Sequence, residues 1–164
     1  MSSSTPDLTA AVVTVSDSSS RGERADLGGP AVAAALAKKN FKVVLREIVP
    51  DEEAAIRDIL VRLSAQVRFV VTTGGTGIAT RDVTPEATRS VCDRLLEGIA
   101  ERMRAEGSKS TRFAALSRAV CGVRGETLIL NLPGKPSGAV ESLDAVIDLI
   151  PHALQILAGN TRHD

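Results

Sequence analysis

Short apolar runs alternate with helical patterns along the first half of the chain. Three runs rich in Val, Ile or Phe are bounded by polar or turn-forming residues, as buried strands are: residues 10–15, 41–49 and 67–73. Between them lie an Ala-rich segment opened by Pro30 and, after Asp51, a segment with Ile and Leu at helical spacing. This alternation predicts right-handed crossovers and a mainly parallel sheet.

The second half predicts a helix, a hairpin and a further helix. We expect the first helix over residues 85–106, with Gly98 as a break. Strands at 120–123 and 127–132 around Arg124-Gly125 predict a hairpin, which would make the sheet mixed at this end. A last helix over 137–158 would end at Gly159. We therefore expect an α/β fold in one domain, residues 9–160, after a flexible tail, residues 1–8.

Composition excludes several classes of protein. Twenty basic residues balance twenty acidic ones, which argues against nucleic acid as a partner. Aromatic residues make up only 2% of the chain, which disfavours a carbohydrate groove or a base-stacking platform. No apolar run approaches the ~20 residues of a membrane span, and the N-terminal residues have no signal-peptide pattern. These features predict a cytoplasmic protein that does not contact membranes.

The cysteines and histidines do not form a recognisable site. Cys92 and Cys121 make no CxxC pair, and only two histidines are available as ligands, so no zinc cluster is expected. Both cysteines are interpreted as buried packing residues. We expect His152 on a helix surface and His163 in the polar tail.

The segment TTGGTGIATRDVTPE, residues 72–86, carries the strongest local signal. It leaves the third predicted strand at its carboxyl end, where ligands bind in open parallel sheets. Its glycines would let the backbone approach a phosphate or pterin closely, although a tight turn explains them equally well. Spacing excludes a GxGxxG fingerprint, because Thr80 replaces the last glycine. A Walker A loop is excluded because Pro136 follows Gly134-Lys135.

Three acids follow strand ends at that same predicted edge. Asp51 and Asp82 could together hold Mg²⁺, which prefers hard oxygen ligands and substrate phosphates. Asp17 is a weaker third candidate. Asp51 could equally cap its helix, whereas the helix near Pro85 has a better cap in Thr84 than in Asp82.

Together these segments resemble one family, the molybdopterin adenylyltransferases of the Mog/MoaB type, which are similar to the G-domains of gephyrin and of plant molybdenum-cofactor enzymes. The resemblance covers residues 9–158. It rests on these motifs: Ser16-Asp17-Ser18, Pro50-Asp51-Glu52, TTGGTG (72–77), RDVTPE (81–86), Ser110-Thr111 with Leu116-Ser117-Arg118, and NLPGKP (131–136).

The resemblance implies a three-layer α/β/α fold that assembles as a homotrimer, with a hexamer as the alternative. It implies Mg²⁺-dependent transfer of AMP from ATP to molybdopterin, releasing pyrophosphate, without a bound redox cofactor and with hand-over to a molybdate-inserting protein. Asp51 and Asp82 match the family's catalytic, metal-holding acids. The residues expected to contact the substrates are Asp17, Thr73, Gly74, Gly75, Thr76, Gly77, Ser110, Thr111, Pro133, Gly134, Lys135 and Pro136.

The sequence departs from the family's pattern at one place, and two alternative functions stay open. Ser137-Gly138 stands where family members often have a polar residue and Lys, and Lys135 could substitute for the missing contact. A non-catalytic pterin-binding or scaffold protein could use the same fold. A general nucleotide-binding domain would instead bind ATP tightly without any pterin.

Overall fold

A computed structural model describes residues 5–161, in which helices surround a six-stranded sheet. The strands are β1 (Thr9–Val15), β2 (Lys42–Val49), β3 (Phe69–Thr73), β4 (Arg94–Leu95), β5 (Cys121–Arg124) and β6 (Thr127–Leu132). The α-helices are α1 (Asp17–Ser20), α2 (Gly28–Lys38), α3 (Glu53–Ser64), α4 (Thr84–Val91), α5 (Glu97–Gly107), α6 (Pro136–Asp144) and α7 (Ile150–Leu157). Two 3₁₀ helices span Arg112–Leu116 and Ile147–Leu149.

The sheet is mixed, with strand order β2-β1-β3-β6-β5-β4. The first four of these strands are parallel, which confirms the predicted crossovers. Strand β5 runs antiparallel to β6, and β4 runs antiparallel to β5. The predicted hairpin is therefore confirmed, and Gly125 takes a positive φ of 59° in its turn.

Helices cover both faces of the sheet. Ala10 and Val12 of β1 belong to one buried cluster, which includes residues of α2, α5, α6 and α7. Ala11 and Val13 belong to the other, which includes residues of α3 and α4. Because side chains of β1 are buried on both faces, its sequence reads as a continuous apolar run rather than an alternating one. The result is the expected three-layer α/β/α architecture.

Two predicted long helices are interrupted. The helix expected over 85–106 ends at Val91, and Cys92 is already extended. The Asp93 amide then donates to the Val123 carbonyl, 2.7 Å away, so pairing with β5 overrides helical propensity there, and Gly98 lies inside α5. The helix expected over 137–158 divides into α6, a 3₁₀ turn and α7, because Pro151 cannot donate an amide hydrogen bond to the preceding turn.

Two predictions for the loop over 16–29 also differ from the structure. This loop contains α1, which is capped by the Ser16 hydroxyl accepting a hydrogen bond from the Ser19 amide. Helix α2 begins at Gly28 instead of Pro30, because the Asp26 carboxylate accepts a hydrogen bond from the Gly29 amide at 2.9 Å. A side-chain acceptor therefore adds two residues, Gly28 and Gly29, to the helix before the proline.

The remaining terminal predictions are tested in part. Residues 1–4 of the predicted tail and His163 lie outside the described residues. Leu8 packs against the core. His152 is exposed on α7, as predicted, whereas Cys121 is buried and Cys92 only partly so. Within residues 5–161, every helix is too short or too polar to cross a bilayer.

Candidate active site

The carboxyl ends of four parallel strands meet at one edge of the sheet. Val15 at the end of β1 lies opposite Val49 at the end of β2. Thr73 at the end of β3 lies beside β1 on one side and opposite Leu132 of β6 on the other. The loops that follow these strands carry most of the predicted site residues, so the topology brings together segments that are far apart in sequence.

The Gly-rich loop after β3 has a backbone conformation and close contacts that only glycine allows at several positions. Gly74 and Gly75 have positive φ angles of 106° and 69°. A Cβ at Gly74 would overlap the Val15 carbonyl, and one at Gly75 would overlap the Thr84 hydroxyl. Gly77 is also crowded, since its Cβ would stand 2.9 Å from Asp82 Oδ2. The loop is thus pressed against β1 and α4.

Thr84 does not cap α4, contrary to the prediction. Val83 occupies the cap position, and Thr84 is the first residue of the helix. The Thr84 hydroxyl donates to the Gly74 carbonyl at 3.0 Å, and its amide donates to the Gly75 carbonyl at 3.2 Å. The motif therefore uses threonine to fasten the Gly-rich loop rather than to begin the helix.

Asp51 does not cap its helix either. Glu52 occupies the cap position of α3, and Asp51 instead exchanges hydrogen bonds with Asp17. The Asp17 amide donates to Asp51 Oδ2 and the Asp51 amide donates to Asp17 Oδ1, both at 2.9 Å. Reciprocal bonds between these two acids join the loops that follow β1 and β2.

Asp82 is fixed from both sides of the loop. Its Oδ2 atom accepts a hydrogen bond from the Ala79 amide at 3.0 Å. Its backbone carbonyl accepts one from Arg118, whose guanidinium also bonds the Gly77 carbonyl at 2.8 Å and the Glu86 carboxylate. Arg118 therefore clamps the segment between the Gly-rich loop and α4.

Two adjoining pockets open at this edge. The first has a volume of about 450 Å³ and is bordered by Asp26, Asp51 and the start of α2. The second, of about 470 Å³, is bordered by Met103, Phe113 and Leu116, so its wall is more apolar. Four residues line both pockets: Gly75, Asp82, Gly134 and Lys135. Molecules bound in the two pockets would meet at Asp82.

Most of the expected contact residues line these pockets. Thr73, Gly74 and Pro136 line the first, whereas Thr76, Gly77, Thr111 and Pro133 line the second. The Thr73 hydroxyl also donates to the Pro133 carbonyl at 2.8 Å, which ties the Gly-rich loop to the Leu-Pro-Gly loop.

Ser110 and Asp17 line neither pocket. The Ser110 hydroxyl bonds the Glu141 carboxylate, and Glu141 borders the second pocket. Asp17 instead exchanges hydrogen bonds with Asp51, which lines the first pocket.

Several lining residues were not singled out from the sequence. Arg24, Asp26 and Leu27 of the first pocket lie in the polar loop after β1, whose position at the carboxyl edge was the available signal. Phe113 and Leu116 lie on the 3₁₀ helix over Arg112–Leu116, and an exposed aromatic in a chain with three aromatic residues could have drawn attention. Nothing in the sequence singles out Glu141, since only the packing of α6 brings it to the second pocket.

The charges at this edge fit a bound cation. Burial raises the pKa of Asp51. The hydrogen bond from the Asp17 amide opposes this rise, whereas the negative charges of Asp17 and Asp82 increase it. Arg81 acts mainly on Asp17, where its hydrogen bonds lower the pKa of that carboxyl, helped by the Asp51 amide.

The donor set fits Mg²⁺. Within residues 5–161, no three His, Cys, Asp or Glu side chains converge as a complete ligand set. Asp51 and Asp82 both line the first pocket, and carboxylate oxygens are ligands that Mg²⁺ prefers.

Comparison with known proteins identifies the family of the chain. Residues 11–152 match the family model of the probable molybdopterin binding domain. Molybdopterin adenylyltransferase of Helicobacter pylori J99 is 42% identical over 153 residues, which cover 91% of this chain and 87% of that protein. The enzyme of the same name from Escherichia coli K12 is 38% identical over 165 residues, covering 90% of this chain and 84% of that protein.

Solved structures show the same relationship. The molybdopterin biosynthesis enzyme MoaB of Thermus thermophilus superposes with a TM-score of 0.87 at 49% identity, covering 93% of this chain and 97% of that one. The resemblance inferred from the motifs is confirmed: the chain belongs to the molybdopterin adenylyltransferase family of molybdopterin-binding domains.

Proposed function

We propose that this chain acts in molybdenum cofactor biosynthesis and transfers AMP from ATP to molybdopterin in a Mg²⁺-dependent reaction. The observation that carries the proposal is the junction of the two pockets at Asp82, Gly75 and Lys135. Two substrates bound side by side, one in each pocket, would present their phosphates to each other at that junction. The names of the relatives at 38–42% identity support the same chemistry.

The proposed step joins the terminal phosphate of molybdopterin to the α-phosphorus of ATP. An oxygen of the molybdopterin phosphate attacks that phosphorus, and a new P–O bond forms. The bond to the oxygen that bridges the α- and β-phosphates breaks, and pyrophosphate leaves with the electron pair. Such a transfer requires in-line positioning and neutralisation of charge rather than a protein nucleophile.

The chain's residues divide this work. Asp51 and Asp82 would hold Mg²⁺, and the ion supplies charge neutralisation on the phosphates when it is bound. Gly74 and Gly75 keep the loop packed against β1 and α4 respectively, so that the phosphates can approach the backbone. Arg118 fixes the Asp82 backbone, 2.7 Å from its carbonyl.

Lys135 supplies a positive charge at the junction. It is exposed and lines both pockets. Gly138 lines the second pocket one helical turn away, without a side chain to offer. Lys135 is therefore the residue that we propose as the substitute for the contact missing at Ser137-Gly138.

The test combines purified chain, Mg²⁺, molybdopterin and ATP labelled at the α-phosphate. Label transferred to the pterin together with one pyrophosphate per transfer would support the proposal. Binding of molybdopterin without transfer would favour the scaffold alternative. Tight ATP binding that is indifferent to molybdopterin would favour the general nucleotide-binding alternative.

We also propose that the chain assembles as a homotrimer in the cytoplasm and hands its product to a molybdate-inserting protein. Leu149 and Ile156 leave apolar side chains exposed on the C-terminal helices, which supports burial between subunits. Light scattering at micromolar concentration should give three times the chain mass. A monomer mass would contradict the assembly, and six times the chain mass would favour the hexamer.

A further inference from the structure

Arg81 connects the segment that carries Asp82 to Asp17, which in turn bonds Asp51 in the loop after β2. It directly precedes Asp82, and its side chain reaches Asp17 in the loop after β1. Its Nε atom donates to Asp17 Oδ2 and its terminal nitrogen to Asp17 Oδ1, both at 2.9 Å. This two-pronged geometry fixes the plane of the carboxylate as well as its position.

Asp17 in turn fixes Asp51. Both oxygens of Asp17 already accept bonds from N–H groups of Arg81, and Oδ1 also accepts one from the Asp51 amide. The Asp17 amide holds Asp51 Oδ2 at 2.9 Å. The other oxygen, Oδ1, therefore points to Gly75, and it lies 3.3 Å from the position that a Cβ would take there.

The Arg81–Asp17 ion pair is a poor source of folding stability. The Arg81 side chain is 60% exposed, and ion pairs at such exposure contribute little to folding. What the pair fixes is the position of Asp17, whose carboxylate accepts the Asp51 amide and whose own amide donates to the Asp51 carboxylate.

We propose that Arg81 is a positioning residue, which acts through Asp17 to set Asp51 against Asp82 so that the two acids can share one cation. The inference rests on the proposed function, since it assumes that Asp51 and Asp82 hold the ion. It assigns Asp17 to the support of Asp51 rather than to contact with substrate.

The test measures binding of Mn²⁺, as a stand-in for Mg²⁺, in the presence of ATP and without molybdopterin. No turnover occurs under these conditions, and the loss of the electron paramagnetic resonance signal of free Mn²⁺ beyond the loss in ATP alone reports the fraction held by the chain. The variants are Arg81→Gln, Asp17→Asn and the double variant. Arg62→Gln is the matched control, because Arg62 forms a similarly exposed ion pair with Glu47 away from the site.

Arg81→Gln separates orientation from charge. Loss of a positive charge beside three carboxylates would by Coulomb attraction alone tighten Mn²⁺ binding. Loss of the positioning contact should instead weaken it about 10–100-fold, as loss of a partner that orients a metal ligand typically does. The melting temperature should shift no more than in Arg62→Gln.

The double variant provides the second criterion. If Arg81 and Asp17 act as one unit, the double variant should bind Mn²⁺ about as weakly as either single variant. Independent, additive effects would overturn the proposal, and so would unchanged or tighter binding in Arg81→Gln. Weaker ATP binding by Arg81→Gln in EDTA would also overturn it, because Arg81 would then contact the nucleotide directly.

Failure of the proposed function and failure of the role of Arg81 would give different results in this experiment. If the wild-type chain itself does not bind Mn²⁺ with ATP, the metal step of the proposed function is wrong, and the role of Arg81 falls with it. If the wild-type chain binds Mn²⁺ but Arg81→Gln binds it equally well, only the role of Arg81 is wrong.

Discussion

The hydroxyl of Thr84 donates a hydrogen bond to the carbonyl of Gly74 across a distance of 3.0 Å. Both groups are buried, so the bond is shielded from water. Through this bond the first turn of α4 holds the Gly-rich loop in the shape that borders both pockets. The importance of this loop conformation can therefore be tested by substitutions in the loop or in the helix.

From the side of the loop, Gly75→Ala should reduce ATP binding at least about tenfold. The added Cβ overlaps the Thr84 hydroxyl and stands 3.3 Å from Asp51, and alanine is disfavoured at a φ of 69° by about 1–2 kcal/mol. Calorimetric titration with ATP is the measurement.

Gly125→Ala is the matched control for that experiment. Gly125 has a φ of 59° in the hairpin turn, and nothing lies within 4 Å of its Cβ position. It carries the same backbone cost without the overlap, so ATP binding should be unchanged. Equal affinities in the two variants would show that the packing of the Gly-rich loop is irrelevant to binding.

From the side of the helix, Thr84→Val should destabilise the fold by about 1–3 kcal/mol, since it leaves the buried Gly74 carbonyl without its hydroxyl partner. Thr84→Ser keeps the hydroxyl and should retain more of both stability and AMP transfer. Urea unfolding and initial rates check this order. A serine variant as impaired as the valine variant would contradict it.

The sequence predicted those features of the site that depend on residues close together in the chain. Strands β1, β2 and β3 and the hairpin were predicted because apolar patterns and turn residues act within a few positions. Asp51 and Asp82 were correctly placed at one sheet edge, because parallel strands bring their carboxyl ends together.

The helix cap predicted at Thr84 is wrong, and the cap considered as an alternative role for Asp51 is not found, for the opposite reason. Both residues suit a helix cap locally, but each has a partner in another loop, Gly74 and Asp17 respectively. The contact between Arg81 and Asp17 joins residues 64 positions apart, and no local pattern announces it. Tertiary contacts of this kind override propensity and appear only once the strands are arranged.

Asp51→Asn should abolish most AMP transfer without destabilising the fold. Burial and neighbouring negative charges raise the pKa of Asp51 in the folded chain above its unfolded value. The folded state therefore favours the protonated carboxyl, and the corresponding stability is lost as pH rises through the folded pKa. A neutral isostere removes that penalty, so the melting temperature at pH 7 should stay equal or rise. A marked fall would show that the Asp51 charge supports the fold.

The two thiols should be unreactive at neutral pH. Burial raises the pKa of Cys92 to about 11 and that of Cys121 to about 12. Because the thiolate is the reactive form, labelling with a disulfide reagent at pH 8 should follow the rate of unfolding. Rapid labelling of the native chain would contradict this environment.

The same shifts predict an alkaline loss of stability. A folded pKa raised above the ordinary thiol pKa of 9.0 means that unfolded thiols lose their protons first. The contribution of the thiols to stability should therefore be constant below about pH 9 and should fall between about pH 9 and 12. The double variant Cys92→Ala/Cys121→Ala should show a smaller decline, and the chain contains no tyrosine to add its own ionisation.

In the proposed reaction, Asp82 holds the metal ion where the two substrates meet. The most direct test is the initial rate of AMP transfer from ATP to molybdopterin against Mg²⁺ concentration, for the wild-type chain, Asp82→Asn and the control Asp58→Asn, which changes an exposed acid of α3. We expect Asp82→Asn to lose about 10²–10³ in turnover, as enzymes do on losing one electrostatic stabiliser. Its melting temperature and pterin binding should stay close to wild type, and Asp58→Asn should match wild type throughout. Wild-type turnover and Mg²⁺ dependence in Asp82→Asn would contradict the account.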